Sequence, residues 1–82
     1  MMTRQKSRRV RFEDALGKIA DVREEIEELR NELQEWLDNM PENLLESEKA
    51  SQLEDAIECL NEVVGLAEEI EASDVEFPSM FG

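Results

Sequence analysis

The fold of this chain is set by residues 12–40, which read FEDALGKIADVREEIEELRNELQEWLDNM. Apolar side chains recur there in alternating steps of three and four positions, without a break, over about four heptads. They are Phe12, Ala15, Ile19, Val22, Ile26, Leu29, Leu33, Trp36 and Met40. This spacing predicts one amphipathic helix over residues 12–40, about 40 Å long at 1.5 Å per residue. Pro41 ends it, because proline disfavours helical geometry at the preceding residue.

A second amphipathic helix is predicted over residues 48–72. Its start is marked by Ser47, or by Ser51 with Glu54 three positions later in capping-box spacing, and we favour Ser47. Its apolar stripe is wider than a strict heptad seam and comprises Leu53, Ala56, Ile57, Leu60, Val63, Val64, Ala67 and Ile70, with Leu66 at the margin. The connection over residues 41–47 is short, so the two helices are expected to pack antiparallel.

The two apolar stripes together exceed what one helix–helix contact can cover. The predicted fold class is therefore all-α: a coiled-coil-like antiparallel two-helix hairpin that dimerises into a four-helix bundle. Trp36 occupies a heptad position near the closed end, where a packed core residue is the default interpretation and an exposed partner contact is the alternative. The residues assigned to self-association are Ile19, Val22, Ile26, Leu29, Leu33, Trp36, Leu53, Ile57, Leu60 and Val64.

Charge is divided unevenly along the chain, whose net charge is −13. Five of the nine basic residues lie within residues 1–11, which contain no acid and are predicted to form a flexible basic arm. They are Arg4, Lys6, Arg8, Arg9 and Arg11. The remaining residues hold four basic and 22 acidic side chains, a net charge of −18. Such a body repels nucleic acid and anionic membranes, so nucleic acid is an expected partner only through the arm.

The abundant carboxylates of the helices allow two interpretations. Solvated helix faces explain them most simply. The alternative is a DNA mimic, in which rows of carboxylates imitate phosphates and occupy the basic groove of a nucleic-acid-binding or defence protein. Neither a metal site nor a cofactor is expected, because the inward heptad positions are apolar and the chain has no His.

Catalysis is not expected from these residue types. The sequence has no His or Tyr, and its single cysteine, Cys59, has no neighbouring base. Cys59 lies one position off the main stripe and is expected to be half-buried. No Gly-rich phosphate loop appears, and no apolar stretch is long enough to span a bilayer. We therefore expect a non-enzymatic, cytoplasmic protein.

The last ten residues, SDVEFPSMFG, differ in character and form a predicted aromatic tail over residues 73–82. Pro78 excludes a continued regular helix. Phe77, Met80 and Phe81 are large apolar residues in a segment without periodicity. They either fold back over the open end of the hairpin or bind a partner protein, and we assign them to partner binding while both alternatives stay open.

Three segments resemble small acidic two-helix proteins of uncharacterised role that bacteriophages encode: ELQEWLDNMPENL at 32–44, LEDAI at 53–57 and VEFP at 75–78. The resemblance implies an accessory viral protein, either a virion component or an inhibitor of a host protein, located in the host cytoplasm or the virion. With the charge pattern, we expect a protein–protein interaction module. It self-associates through its heptad faces and presents an acidic surface and the tail to a partner with a basic surface.

Overall fold

The computed structural model describes residues 7–78, which form two α-helices joined by a short 3₁₀ turn. Helix α1 spans Arg8–Asp38, the 3₁₀ turn spans Glu42–Leu44, and helix α2 spans Glu48–Glu71. No strand occurs within residues 7–78. The predicted all-α class is therefore confirmed.

Helix α1 begins at Arg8, before the start at residue 12 that the heptad pattern predicts. The Ser7 hydroxyl caps this end by accepting a hydrogen bond from the backbone N–H of Val10, 3.2 Å away. Arg9 also lies 3.7 Å from Glu13, and this pairing across one turn favours the helix. Arg8, Arg9 and Arg11 thus belong to α1, which corrects their assignment to a flexible arm. A local cap and an ion pair outweigh the unfavourable position of arginines at a helix N-terminus.

The connection between the helices is held by a cap at the end of α1 and another at the start of α2. Helix α1 ends at Asp38, two residues before the predicted end, and Asn39 is its C-cap. The Ser47 hydroxyl accepts a hydrogen bond from the backbone N–H of Ala50 at 3.3 Å and donates one to the Leu44 carbonyl at 2.6 Å. Of the two candidate starts for α2, the structure therefore uses Ser47, which ties the 3₁₀ turn to the first turn of the helix.

The two helices run antiparallel. Three cross-helix pairs, spread along the hairpin, are Arg23 with Glu71, Arg30 with Asn61, and Trp36 with Lys49. Residue numbers on α2 fall as those on α1 rise, as an antiparallel pair requires. The hairpin has a closed end at the 3₁₀ turn and an open end where α1 begins and α2 finishes.

The packing between the helices is one-sided. Among residues 7–78, the buried apolar side chains all belong to α2 and are Ala50, Leu53, Ile57, Val64 and Ala67. The large apolar residues of α1 on the side of α2 are half-buried: Phe12, Leu16, Ile19, Ile26, Leu33 and Leu37. The molecule measures 67 × 29 × 14 Å, so it is a single layer of two helices. A single layer leaves the outer surfaces of both helices in solvent, whereas stable domains are built from at least two packed layers.

Candidate functional site

The heptad pattern of α1 is divided between two surfaces. Alternate members of the pattern, from Phe12 through Ile19 and Ile26 to Leu33, are half-buried on the side of α2. The members between them are exposed and are Ala15, Val22, Leu29 and Trp36. Each exposed member comes one position before a half-buried residue, so it is rotated by about 100° from the helix–helix interface.

Helix α2 carries a matching apolar stripe. It comprises Ala56, Cys59, Val63, Leu66 and Ile70. Each of these residues also comes one position before a buried or half-buried residue, as Val63 precedes Val64 and Leu66 precedes Ala67. The large side chains of the two stripes are exposed by fractions from 41% at Val63 to 59% at Leu66.

Both stripes lie on the same side of the hairpin. The helices run in opposite directions, so a residue that comes one position before an interface residue points toward the same side of the hairpin on both helices. The residues of both stripes are of this kind. A direct contact supports this geometry: the Lys49 ammonium lies 5.7 Å from the centroid of the Trp36 ring, and each of these residues precedes a less exposed one. We call this side the open face and define it by Ala15, Val22, Leu29, Trp36, Ala56, Cys59, Val63, Leu66 and Ile70.

The ten residues predicted to mediate self-association fall on two surfaces. Seven lie on the sides of the helices that pack within the hairpin: Ile19, Ile26, Leu33, Leu53, Ile57, Leu60 and Val64. Only Val22, Leu29 and Trp36 lie on the open face. Val63, Leu66 and Ile70 of the open face are missing from the predicted set, although their steps of three and four positions continue one stripe.

Two side chains are more exposed than the sequence suggests. Trp36 is 50% exposed rather than packed in a core, and Cys59 is exposed rather than half-buried. Both residues lie on the open face, which the partner helix of the hairpin does not cover. Their exposure therefore follows from the rotation of each helix, which periodicity alone does not specify.

The opposite side of the hairpin is polar. The residue that follows each interface residue by one position lies on this side. These residues include Glu27, Gln34, Ser51, Glu54, Glu58, Asn61 and Glu68. The Arg23 Nε donates a hydrogen bond to Glu71 Oε2 at 2.5 Å, and another Arg23 nitrogen donates to Glu27 at 2.9 Å. The hydrogen bond with Glu71 is the main cause that raises the pKa of Arg23 above its ordinary value, against the lowering effect of desolvation. Arg23 and Glu71 are themselves half-buried between the helices, so this ion pair joins the two helices along the border of the polar side.

The segment after α2 folds back over the open end. The rings of Phe12 and Phe77 meet edge to face, with centroids 5.8 Å apart and an interplanar angle of 63°. An Arg9 nitrogen donates a hydrogen bond to the Val75 carbonyl at 3.2 Å and lies 3.9 Å from Asp74. For Phe77, the structure therefore has the fold-back arrangement. The other predicted residues of the tail and the arm, Met80, Phe81, Arg4 and Lys6, lie outside the described residues.

A pocket of about 510 Å³ adjoins this aromatic pair. Its lining consists of Arg8, Arg11, Phe12, Asp14, Lys18 and Phe77. We call it the basic–aromatic pocket. It brings basic side chains and two aromatic rings together at one end of an otherwise strongly acidic molecule.

Two kinds of site are absent from the described part of the chain. Residues 7–78 contain no cluster of three or more Cys, Asp or Glu side chains placed to hold a metal ion. Within the same residues, neither helix is apolar enough over its length to cross a membrane. The open face and the basic–aromatic pocket are the features of the described residues that bear most on function. Comparison of the chain with protein-family models, with curated proteins and with solved structures finds no match in any of the three.

Proposed function

We propose that this protein is a non-enzymatic protein–protein interaction module that dimerises through the open face into a four-helix bundle. The observation that carries the proposal is the open face itself. It is a continuous double stripe of apolar side chains, about half exposed, along one side of a hairpin that is 14 Å thick. Monomeric soluble proteins rarely expose a long continuous row of large apolar side chains. Burial of apolar surface lowers the free energy by about 25 cal/mol per Å², so a second molecule is favoured to cover it.

The exposed area also favours association. The chain exposes 7034 Å², whereas a compact monomer of 9.5 kDa exposes about 5,000 Å². The excess of about 2,000 Å² per chain is larger than the roughly 600–1,000 Å² that each partner buries in a standard protein–protein interface. A second hairpin laid over the open face would add the missing layer.

Charges beside the open face favour a second copy as the occupant. One turn before each apolar residue of the α1 stripe lies a charged residue, and this row is Arg11, Lys18, Glu25 and Glu32. Its first half is basic and its second half is acidic. When α1 of a second copy runs antiparallel beside it, the basic half of each helix meets the acidic half of the other. If α1 instead faced α2 of the second copy, this charged row would lie against the uncharged Cys59 and Leu66. Its charges would then lose water without gaining a charged partner, which is unfavourable.

Sedimentation of the full chain over micromolar to millimolar concentrations tests this proposal. We expect a mass twice the 9.5 kDa of the chain. Cys59 supplies an internal reporter, because its thiol is exposed in the single hairpin and lies on the open face. The rate at which a bulky maleimide modifies Cys59 should therefore fall as protein concentration rises.

The control for the thiol measurement is the denatured chain, in which the rate should not depend on concentration. A mass of one chain at all concentrations, together with a cooperative melt, would contradict dimerisation. A constant rate of Cys59 modification in a dimeric sample would place the dimer interface elsewhere.

A DNA mimic is the second candidate function. The observation that favours it is a pair of acidic rows on the outer edges of the hairpin, in which carboxylates recur every seven residues. The rows are Asp14, Asp21, Glu28 and Glu35 on α1, and Glu48, Asp55, Glu62 and Glu69 on α2. All eight side chains are exposed, so the hairpin presents two lines of negative charge to a basic groove.

Competition with duplex DNA for a basic DNA-binding protein tests the mimic. We expect displacement of the duplex that weakens as salt rises, and that weakens further when Asp55, Glu62 and Glu69 are changed to their amides. The matched control changes Glu54, Glu58 and Glu68 on the polar side to glutamine, which removes the same charge from another surface. Equal losses in the two triple variants would indicate a general effect of net charge, and the mimic would be rejected.

A further inference from the structure

We propose that the basic–aromatic pocket binds a nucleotide unit, that is, a phosphate joined to a planar base. The pocket shares Arg11 and Lys18 with the charged row beside the open face, so in the proposed dimer a nucleotide would compete with Glu25 and Glu32 of the second copy. The inference does not rest on dimerisation. Its volume of about 510 Å³ lies within the range of small-molecule sites, about 300–1,000 Å³. Its lining differs from that of a typical apolar small-molecule pocket, because four of the six lining residues are charged and two are aromatic, a composition that suits a ligand with an anionic part and a planar part.

Local pairing leaves the pocket with an excess of positive charge. Arg9 lies 3.7 Å from Glu13 and 3.9 Å from Asp74, so its charge offsets one of these two carboxylates. The lining itself has three basic residues, Arg8, Arg11 and Lys18, and one acidic residue, Asp14. Apart from Asp14, which lines the pocket, the carboxylates of the acidic rows are exposed charges, whose effect is largely screened beyond about 8 Å at physiological salt.

The start of α1 adds to this positive potential. The pocket includes Arg8 and Arg11 from its first turn, and that turn contains no acidic residue. Backbone N–H groups and the helix dipole make such a terminus favourable for an anion. Arginine guanidinium groups match the oxygens of a phosphate in paired hydrogen bonds. A phosphate monoester has three free oxygens for the three basic side chains, whereas a phosphodiester or a carboxylate has two.

The two aromatic rings account for the planar part of the ligand. Phe12 and Phe77 pack edge to face and both line the pocket. An edge-to-face pair leaves part of each ring surface free of the other ring, and bases stack on such surfaces without dependence on their sequence. The rings come from residues that are far apart in the chain, so the stacking platform exists only when the segment after α2 folds back.

Titration of the full chain with adenosine monophosphate, followed by NMR chemical shifts or calorimetry, tests the proposal. Adenosine and inorganic phosphate are the matched probes that carry each half of the ligand alone. We expect saturable binding of the nucleotide that is at least about tenfold tighter than binding of either half. A thymidine octanucleotide tests whether the unit is bound free or within a single strand: tighter binding of the strand points to nucleic acid, and equal or weaker binding points to a free nucleotide.

Single substitutions locate the site. Arg11→Gln should weaken nucleotide binding about tenfold, the loss expected for one charge-assisted contact. Phe77→Leu should weaken nucleotide binding by a similar factor but leave binding of inorganic phosphate unchanged. Lys49→Gln removes the same charge at the closed end and should leave both affinities unchanged. Circular dichroism of each variant checks that it is folded, and Arg8→Gln serves as a second pocket variant if Arg11→Gln is not.

Three results would overturn the inference. The first is an absence of saturable nucleotide binding by the folded chain. The second is equal affinity for nucleotide and inorganic phosphate with no effect of Phe77→Leu, which would reduce the pocket to a general anion patch. The third is tighter binding of an acidic peptide that contains phenylalanine, which would make the ligand a protein segment.

Discussion

The substitution Leu66→Glu is expected to dissociate the dimer into folded monomers. Leu66 is the most exposed large apolar residue of the open face, at 59%, so glutamate is tolerated there in a single hairpin. In the proposed dimer the same position is covered in both copies. Each copy would lose about 1–2 kcal/mol of apolar burial, because only the exposed part of Leu66 is newly covered, and would gain an unpaired carboxylate in the interface. We expect the dissociation constant of the dimer to rise at least about 100-fold, measured by sedimentation equilibrium.

Ser51→Glu is the matched control for this variant. Ser51 is an exposed residue of α2 on the polar side of the hairpin, so the substitution adds the same charge to the same helix without touching the open face. Its dissociation constant should stay close to that of the parent protein. A dimer that survives Leu66→Glu unchanged would rule out the open face as the interface. Equal dissociation by both variants would mean that net charge, rather than the apolar stripe, controls association.

The second large effect is expected from Ile57→Ala, which should destabilise the fold itself. Ile57 is only 8% exposed and lies on the side of α2 that packs against α1. Removal of buried methyl groups costs about 2–4 kcal/mol, because both burial and contacts across the resulting cavity are lost. For a domain of this size, that loss corresponds to a fall of about 10–20 °C in Tm. Thermal melts followed by circular dichroism provide the measurement.

The comparison with Leu66→Ala separates the hairpin interface from the dimer interface. Leu66→Ala removes an apolar side chain of similar size from the open face, so it should lower the Tm mainly at concentrations where the parent protein is dimeric. Ile57→Ala should lower the Tm at every concentration. If the two variants lost equal stability in dilute solution, α2 would have to be rotated relative to α1 from the arrangement described here.

The secondary structure follows closely from local signals in the sequence. The alternating steps of three and four positions predict both helices, and Pro41 and Ser47 mark the connection between them. The start of α1 is the exception. Arginines near a helix N-terminus oppose the dipole, yet the Ser7 cap and the contact between Arg9 and Glu13 extend the helix to Arg8. Weak local terms of similar size compete at helix ends, so their sum is hard to read from sequence.

The residues of the candidate sites were harder to predict from the sequence than the helices were. Periodicity identifies Val22, Leu29 and Trp36 as apolar heptad residues, but it assigns them to the same stripe as Ile19 and Ile26. Which part of a wide stripe faces the neighbouring helix depends on the rotation of both helices about their axes. The basic–aromatic pocket is similarly hidden, because Phe12 and Phe77 are distant in sequence and meet only when the end of the chain returns to α1.

The sequence by itself determined that this chain forms two acidic amphipathic helices with a short connection, because helix formation and chain reversal depend on side chains within a few positions of one another. Only the tertiary structure decided which apolar residues the hairpin covers, which remain on the open face, and which side chains line the pocket. Those outcomes depend on contacts between residues far apart in the chain, whose geometry is set by how the helices rotate and pack.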